Sequence, residues 1–458
     1  MSILGSHYAA RHTAGLYRSC AVTARYHYTS CPEHFITLLR YALRKNIQRH
    51  PALNYGVVDQ TSTSKAHFRR QDQICWDDVV EIRHHDELRE EDEVLSQELG
   101  KAHELLFTDQ DRKPAWKLIV VIHGGEGRRT IDIIYLSQHA IADGLSCVAF
   151  HKSLYNYLLE GLSLPRLDLL AEWPYIVPSN TAVLHPVEDF LTVTPSSPST
   201  TETDKLEIWT GPPPYLPSTT TYGSRVHILT IPTTSVREIQ EGSRTLHTTV
   251  TSILHALTVT YLSHAVPTSD TFTGVTPYSL RPFTGVTKDE IVNYIGYIVS
   301  TWKPETVSSI RKAKAGSPEE FHASMLIGKQ FREEIEAELK TVSAADGGGP
   351  TILRELAAVT DHMAAGRAAL SSGKRGGTYE LSNVGVADFG AGNEDLRLEK
   401  LVFSQCGMVT GPVIGLSVVS VKEGPLVITI GWQDGALEEE FVKGLATFLK
   451  ERLIKLGC

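Results

Sequence analysis

The sequence predicts an α/β protein built as two lobes of comparable size. Strand-like and helical runs alternate in both halves of the chain, a stretch rich in Pro, Ser and Thr lies near the middle, and 458 residues suffice for two large cores. We therefore predict an N-terminal lobe over 1–174, a linker or crossover over 175–224, and a C-terminal lobe over 225–458. A ligand site between the lobes is a common result of this architecture.

In the N-terminal half, the spacing of apolar residues predicts each element in turn. "LYRSCAVTARYHY" alternates like a strand, and "EHFITLLRYALRKNIQRHP" has helical spacing that stops at Pro51. The acidic stretch "DELREEDEVLSQELGKAHELLF" predicts a solvated helix. "AWKLIVVIHGG" and "TIDIIYLSQH" predict two strands, the second buried on both faces, and a helix with a broad apolar stripe follows.

The middle of the chain, with "VTPSSPSTTETDKLEIWTGPPPYLPSTTTYGS", has too little apolar surface to order itself. Beyond it, "RVHILTIP" predicts a strand and "TTVTSILHALTVTYLSHA" a helix. "TFTGVTPYSLRPF" and "IVNYIGYIVSTWKP" predict two more strands, followed by a long charged helix over about 317–341. A break at "AADGGGP" precedes a helix in "TILRELAAVTDHMAAGRAAL", and the chain ends in a hairpin turning at Glu423-Gly424 and a terminal helix.

Composition excludes several classes of protein. The net charge is −9 with no basic run, which argues against a nucleic-acid partner. Six cysteines are scattered without CxxC spacing, so we expect no zinc cluster and no disulfide framework, and a reducing compartment. The N-terminus lacks the apolar core of a signal peptide, and no run approaches the roughly 20 apolar residues that span a bilayer. We expect a cytoplasmic monomer without a bound metal.

The most informative stretch is "YLSQHAIADGLSCVAFH", in which His139 and Asp143 lie four positions apart. With 19 histidines, about one such pair arises by chance, and His185 and Asp189 in "HPVED" repeat the spacing. Context separates the two pairs. The first follows a buried strand and closes with Gly144 at the start of a helix, whereas the second lies beside the linker with no strand before it. We expect the second pair not to be catalytic.

The residues leave two interpretations of His139 open. An imidazole takes a proton from a hydroxyl near neutral pH without much tuning of its pKa, so His139 fits a general base. Alternatively, His139 is a hydrogen-bonded core histidine and Asp143 caps the helix that begins at "GLSCV". Asp143 is structural in both interpretations.

"HAIADG" resembles the HxxxDG motif of the chloramphenicol acetyltransferase-like superfamily. That superfamily includes alcohol O-acetyltransferases, plant acyl-CoA-dependent acyltransferases, polyketide-associated acyltransferases and peptide-synthetase condensation domains. Further similar segments follow in the family's order over nearly the whole chain: "KPAWKLIVV", "VTPYSLRPF", "VNYIGYIVST", "LSNVG" and "GPLVITIGWQDG" with "FVKGLATFLKERL". The resemblance is strongest to the alcohol O-acetyltransferase branch, which shares features with condensation domains. It implies two lobes, each a mixed sheet flanked by helices, with a tunnel between them.

The resemblance also implies a reaction. His139 would be the general base that deprotonates an acceptor hydroxyl or amine, which then attacks the thioester of acyl-CoA, with acetyl-CoA as the expected donor. Transfer would be direct, in one ternary complex, and the acceptor would be an alcohol on a small natural product. Asp143 would point away from the centre and pair with Arg281, which with Gly144 would hold the loop in shape. The alternative for Arg281 is a surface arginine before a proline.

Weaker candidates complete the expected site. Ser382 and Asn383 of "LSNVG" would line the tunnel or stabilise the tetrahedral oxyanion, unless they form a plain structural turn. Ser300 and Thr301 would line the tunnel. The basic pair Lys374 and Arg375 of "SSGKRGG" would meet the phosphates of coenzyme A, unless this is a solvated loop.

Two departures from the family pattern bear on its branches. Gln138 stands where many members carry a second histidine, which argues against a condensation domain more than against a free-standing acyltransferase. The plant branch's DFGWG is absent, and "ADFGAG" directly after "SNVG" is interpreted as coincidence. Cys147 lies on a presumed buried helix face, so we expect no covalent nucleophile there.

Two other function classes remain open at this point. The same scaffold with one base could catalyse elimination, cyclisation or isomerisation of a metabolite without an acyl donor. The chain could also be a non-catalytic binding protein, although the intact His139, Asp143, Gly144 and Arg281 argue against decay.

Overall fold

The computed structural model describes residues 1–58, 66–85, 90–124, 130–165, 171–197, 206–216, 222–344 and 348–456. Over these residues the chain forms a five-stranded and a six-stranded mixed sheet, each flanked by helices, with two short two-stranded ribbons beside them. The α/β fold class with two sheet-based lobes is therefore confirmed.

The first half contains, in chain order, α1 Ile3–Thr13, β1 Cys20–Tyr28, α2 Pro32–Arg49, β2 Tyr55–Val58, β3 His67–Arg70, β4 Gln73–Ile74, α3 Trp76–Val79, β5 Val80–His85, α4 Glu91–His103, β6 Trp116–His123, β7 Thr130–Ser137, α5 Gly144–Leu162 and β8 Tyr175–Ile176. The second half contains β9 Ser224–Ile231, α6 Thr233–Thr245, α7 Val250–Ala265, β10 Phe272–Ser279, α8 Arg281–Thr284, β11 Ile295–Trp302, α9 Pro304–Lys312, α10 Pro318–Ser343, α11 Thr351–Ala357, α12 His362–Ser371, β12 Tyr379–Ala387, β13 Leu396–Gln405, β14 Ile414–Val421, β15 Leu426–Gln433 and α13 Glu439–Lys455. Short 3-10 turns cover Pro51–Asn54 and Val187–Asp189.

The first sheet has the strand order β13-β1-β7-β6-β5. Its central strand β7 is buried at all eight positions, as its continuous apolar run predicts. Strand β1 pairs antiparallel with β7 on one side and with β13 on the other, and β5 pairs parallel with β6. Helices α2 and α5 pack against each other, and α5 also packs on β1 and β7. This packing fixes the loop between β7 and α5.

The second sheet has the strand order β11-β10-β12-β14-β15-β9. Strands β10, β12 and β14 run parallel, and the outer strands pair antiparallel, so this sheet is also mixed. Helix α7, whose Thr and Val content mildly opposes a helix, is held by packing against α10, α9 and α13. The core on this side is separate from that of the first sheet.

The structure corrects the predicted domain boundaries. Strand β13, which lies within the range 225–458, forms the edge of the first sheet, and its Leu401 and Phe403 join the first core. Conversely, α1 packs against α11 and α12 of the second half. The two halves of the chain therefore exchange elements across the lobes, which the local spacing of apolar residues does not show.

Three smaller predictions also needed correction. The described part of the middle stretch is ordered by packing, since Val187 is wholly buried and Trp209 packs against the second core. The helix predicted in "TILRELAAVTDHMAAGRAAL" is two helices, because Asp361 caps a new start through the backbone N–H of Ala364 at 2.9 Å. "LSNVG" is part of β12 rather than a plain turn, although a bulge follows Asn383. The break predicted at "AADGGGP" lies largely outside the described residues.

Candidate active site

The loop between β7 and α5 carries both His139 and Asp143. Asp143 is extended (φ −101°, ψ −178°) and caps α5, since its carboxylate accepts the backbone N–H of Ser146 at 2.8 Å. The predicted capping role is thus present in the structure. The cap marks the start of α5, and His139 lies in the loop just before that helix.

Asp143 and Arg281 form a buried bidentate pair. Arg281 donates from Nη1 to Oδ2 at 2.7 Å and from Nη2 to Oδ1 at 3.1 Å, and both side chains are under 5% exposed. Arg281 also donates to Ser146 Oγ at 2.9 Å, and Tyr294 N–H donates to Asp143 at 3.0 Å. Burial alone would raise the pKa of Asp143, but the Arg281 charge and these hydrogen bonds lower it overall. The surface alternative for Arg281 is therefore wrong.

The second pair with the same spacing has the opposite geometry. His185 Nδ1 lies 3.0 Å from Asp189 Oδ2, and both side chains are about half or more exposed. In the loop after β7, by contrast, the carboxylate of Asp143 accepts hydrogen bonds from Arg281 and from backbone N–H groups. It is therefore not hydrogen-bonded to the imidazole of His139. Equal spacing in sequence thus produces one exposed hydrogen-bonded pair and one buried loop with separated partners.

The imidazole of His139 lies among aromatic rings. Tyr8 of α1 stacks on it with centroids 3.9 Å apart and planes 6° from parallel, and Tyr17 lies 5.5 Å away. The backbone carbonyl of His139 accepts a hydrogen bond from the amide of Asn293. Burial lowers the pKa of His139 to about 4, an effect that Arg11 reinforces and that Asp143 and the residue's own backbone carbonyl oppose. The ring is therefore neutral at physiological pH and able to accept a proton.

His139 opens onto a cavity of about 100 Å³ between the two lobes. Its walls come from both sheets and from α1: Tyr8, His139, Asp143, Gly144, Leu145, Pro277, Tyr278, Ser279, Ile295, Glu380, Ser382, Asn383, Val384, Phe403 and Gln405. The cavity is thus lined by residues separated by almost 400 positions in sequence, and both lobes must be folded to form it.

Gly144 is required by close packing at the start of α5. A Cβ atom there would lie 2.7 Å from Val384 Cγ1 and 3.0 Å from Phe403 Cζ. We expect Gly144→Ala to lower the free energy of unfolding by about 1–3 kcal/mol through overpacking, measured by denaturant unfolding. Gly415→Ala is the control, because its Cβ would make one ordinary contact at 3.4 Å. Equal stability of the two variants would contradict close packing at Gly144.

Ser382 and Asn383 both line the cavity, but they differ in hydrogen bonding. The amide of Asn383 is occupied, since it donates to Thr251 Oγ1 at 3.1 Å and accepts the N–H of Gly385 at 2.9 Å. These bonds hold the bulge of β12, where Gly385 has a φ of +79° that favours glycine. The Ser382 hydroxyl makes no hydrogen bond to any residue within the described ranges, so it is available to a bound ligand.

Ser300 and Thr301 do not line this cavity. Both lie on β11, where the Ser300 hydroxyl donates to Glu334 and the Thr301 carbonyl accepts a hydrogen bond from Gln330 at 3.1 Å. The Ser300 hydroxyl and the Thr301 backbone carbonyl are therefore bonded to α10, the helix that covers the sheet. The prediction that they line the tunnel is not supported for the cavity around His139.

Arg375 is not placed to meet a phosphate. Its guanidinium is buried and donates to the carbonyls of Met408 at 2.6 Å, Val409 at 2.8 Å and Pro212 at 3.0 Å. A fourth bond reaches Gln433 Oε1 at 2.8 Å. Four of the five N–H donors of the guanidinium are thus bonded within the protein, and its prediction as a coenzyme A ligand is corrected. Lys374 beside it is exposed, as a solvated loop would be.

Sequence reasoning missed several side chains near His139. Tyr8, Tyr17 and Asn293 approach it from distant segments, so no local spacing announces them. Glu380 lies two residues before Ser382 on β12, and strand alternation places the two on one face. That alternation is the signal that could have found Glu380. Gln138, the departure from the family pattern, is wholly buried beside His139.

Three further expectations concern a membrane span, a metal cluster and the thiol of Cys147. No helix among them is sufficiently long and apolar to span a membrane. Within the same ranges, no three His, Cys, Asp or Glu side chains are grouped to hold a metal ion. Cys147 is wholly buried, its Sγ lies 4.0 Å from that of Cys20, and burial raises the pKa of its thiol.

The two mixed sheets and the loop that joins a histidine to a buried aspartate–arginine pair define the chloramphenicol acetyltransferase-like class of acyltransferases. Comparisons with known proteins narrow this class. The family model for alcohol acetyltransferases matches residues 1–172 and 191–453. The chain therefore belongs to the alcohol acetyltransferase family and is an acyltransferase.

A relative in sequence carries the same family description, and two solved structures share the fold. The probable alcohol acetyltransferase crmB of Aspergillus fumigatus is 26% identical over 452 residues, which cover 95% of this chain and 94% of that protein. The structure of TRI3 trichothecene 15-O-acetyltransferase from Fusarium sporotrichioides matches with a TM-score of 0.71 at 13% identity, over 98% of this chain and 94% of that one. The EpoB cyclization-docking bidomain from Sorangium cellulosum matches with a TM-score of 0.59 at 15% identity, over 100% and 84%.

Proposed function

We propose that the protein transfers an acetyl group from acetyl-CoA to a hydroxyl group of a small natural product, with His139 as the general base. The observation that carries this proposal is a neutral imidazole at the wall of an interlobe cavity, on a loop fixed by the Asp143–Arg281 pair. The family and the named activity of the TRI3 relative support an alcohol acceptor of this kind.

In the proposed mechanism, the acetyl thioester end of acetyl-CoA and the hydroxyl group of the alcohol meet beside His139 in the cavity. The imidazole of His139 accepts the proton of the alcohol as its oxygen forms a bond to the thioester carbon. The negative charge moves to the carbonyl oxygen, toward which the unoccupied hydroxyl of Ser382 donates a hydrogen bond. The carbon–sulfur bond then breaks, and the imidazolium returns its proton to the departing CoA thiolate. The base leaves the cycle neutral.

Direct transfer of the acetyl group, without an acyl-enzyme, agrees with the state of the cysteine thiols near the loop that carries His139. Cys147 is buried, its thiol has a raised pKa, and it lies beside the free thiol of Cys20. It therefore supplies no thiolate at neutral pH. Besides His139, the polar side chains that line the cavity carry serine and tyrosine hydroxyls, two amides and two carboxyl groups, and no cysteine is among the described lining residues. A proton acceptor beside a hydroxyl substrate therefore accounts for the site without an acyl-enzyme.

The proposal is tested by incubating the purified protein with acetyl-CoA and a panel of alcohols while free thiol is measured. We expect thiol release that depends on the alcohol, together with calorimetric binding of CoA. A protein that binds no CoA and releases no thiol, but converts a metabolite in its absence, would favour elimination, cyclisation or isomerisation on the same scaffold.

The pH dependence of kcat/KM provides a second test. Because burial lowers the pKa of His139 to about 4, the free enzyme holds its base in the active, neutral form above that pH. Activity should be lost only as the pH falls through about 4, and the profile should be flat across pH 6 to 7. Circular dichroism at each pH excludes unfolding as the cause of the loss. An acid limb centred near 6.5, the ordinary histidine pKa, would contradict a desolvated base.

A further inference from the structure

A carboxyl group on the cavity wall has no place in the mechanism above. Glu380 lies on β12, where Tyr379 and Leu381 are wholly buried in the second core. Alternation along the strand therefore places Glu380 and Ser382 on the opposite face, and both line the cavity that contains His139.

Glu380 is held in place by a hydrogen-bonded relay. Gln405 at the end of β13 donates from Nε2 to Glu380 Oε1 at 2.7 Å. The other end of the same amide accepts the hydroxyl of Tyr17 at 2.7 Å. Because Tyr17 also borders the ring of His139, the relay links the carboxyl group to the immediate surroundings of the imidazole. The charge of Glu380 raises the pKa of both Tyr8 and Tyr17, in addition to burial.

The carboxyl group of Glu380 is incompletely satisfied. Oε1 accepts the bond from Gln405, whereas Oε2 receives no hydrogen bond from any residue in the part of the chain that is described. Burial raises the pKa of Glu380, and Gln405 and Arg11 offset only part of this effect. A carboxylate has about four acceptor positions, so several are left to face the cavity.

Two other polar groups of the cavity wall are already hydrogen-bonded within the protein. Asp143 is saturated by Arg281 and backbone N–H groups, and the Tyr278 hydroxyl donates to Glu338 at 2.6 Å. Glu380 is therefore the acidic group of the lining that still has acceptor capacity. A partly buried carboxyl group with unfilled acceptor positions is costly, and a bound molecule that donates a hydrogen bond lowers that cost.

We propose that Glu380 recognises the acceptor by accepting a hydrogen bond from a second hydroxyl or amino group of that molecule, next to the hydroxyl that is acetylated. The inference rests on the proposed acetyl transfer and adds a substrate class to it: diols and amino alcohols in preference to simple alcohols of the same size. Sites built to bond a polar group discriminate strongly against analogues that lack it, because their own polar atoms are then left unpaired. Glu380 is thereby a specificity-determining residue, while His139 carries the proton transfer.

The test uses matched acceptors with acetyl-CoA: cyclohexane-1,2-diol and 2-aminocyclohexanol against cyclohexanol. In the wild-type protein we expect a kcat/KM about 10- to 100-fold higher for the two donor-bearing acceptors, as for a hydrogen bond to a charged group. In Glu380→Gln the amide keeps the oxygen that Gln405 bonds but replaces the other oxygen with a donor. This variant should lose most of the preference, while its KM for acetyl-CoA stays within about twofold.

The outcomes separate the two proposals. Equal rates for all three acceptors in the wild type, or an unchanged preference in Glu380→Gln, would overturn recognition by Glu380 and leave acetyl transfer standing. A raised KM for acetyl-CoA with an intact acceptor preference would overturn it as well, because the carboxyl group would then bind the pantetheine amides. No alcohol-dependent thiol release from any acceptor would overturn acetyl transfer itself. Glu336→Gln, a change in an exposed carboxylate on α10, is the control.

Discussion

Replacing His139 with alanine is expected to lower kcat/KM for acetyl transfer by about 10²- to 10⁴-fold, the range that general acid–base catalysis contributes. The substitution removes the proton acceptor but leaves the Asp143–Arg281 pair that fixes the loop. The measurement is free thiol released from acetyl-CoA in the presence of an alcohol. The affinity for CoA, measured by calorimetry, should change little, since the loss lies in the chemical step.

The chain supplies a matched control for this substitution. His185 also precedes an aspartate by four residues, but it is exposed and lies outside the cavity around His139. His185→Ala should therefore retain the wild-type rate within about twofold, as expected for a surface change. Full activity in His139→Ala would remove this histidine as the base.

The second large effect concerns stability. Arg281→Ala leaves the carboxylate of Asp143 buried without its cation, and breaking a buried pair in this way costs about 3–5 kcal/mol. We expect a loss of that size in the free energy of unfolding, measured with denaturant. Activity should fall as well, because the loop that carries His139 is bonded through Asp143 to both α8 and the segment before β11.

The pH dependence of the free energy of unfolding provides a further test of the Arg281→Ala prediction. Asp143 has a lowered pKa in the folded state, so its contribution to stability is complete above the unfolded aspartate pKa and is lost as the pH falls below it. Arg281→Ala should remove that component of acid sensitivity. The exposed pair Arg332–Glu336 is the control, and Arg332→Ala should change stability by less than about 0.5 kcal/mol. A similar small loss for Arg281→Ala would contradict a structural lock.

Local sequence patterns predicted much of the fold because most elements carry their own periodicity. The run that became β7 is apolar throughout and is buried at every position, and the hairpin turn at Glu423 has the positive φ expected there. Strand exchange was not predictable in this way. β13 pairs with β1 across 368 to 385 positions, and the alternation of either strand is compatible with a place in either sheet.

The candidate site was predictable only where a motif is contiguous. His139, Asp143 and Gly144 lie within six residues, and the resemblance extended the set to Arg281 and the Ser382 segment. Arg375 was mispredicted because a basic residue near glycines looks solvated in sequence, whereas the fold surrounds it with carbonyl groups. Tyr8 and Gln405 reach the cavity only through tertiary packing, which no single segment encodes.

Whether His139 moves the proton or carries the acetyl group is tested most directly by mass spectrometry. The wild-type protein is mixed with acetyl-CoA without an alcohol, quenched within one turnover, and its intact mass is measured before and after alcohol is added. We expect the mass of the unmodified chain at every time, with acetyl ester formed only in the presence of the alcohol. A chain heavier by one acetyl group, which then passes that group to the alcohol, would contradict direct transfer in a ternary complex.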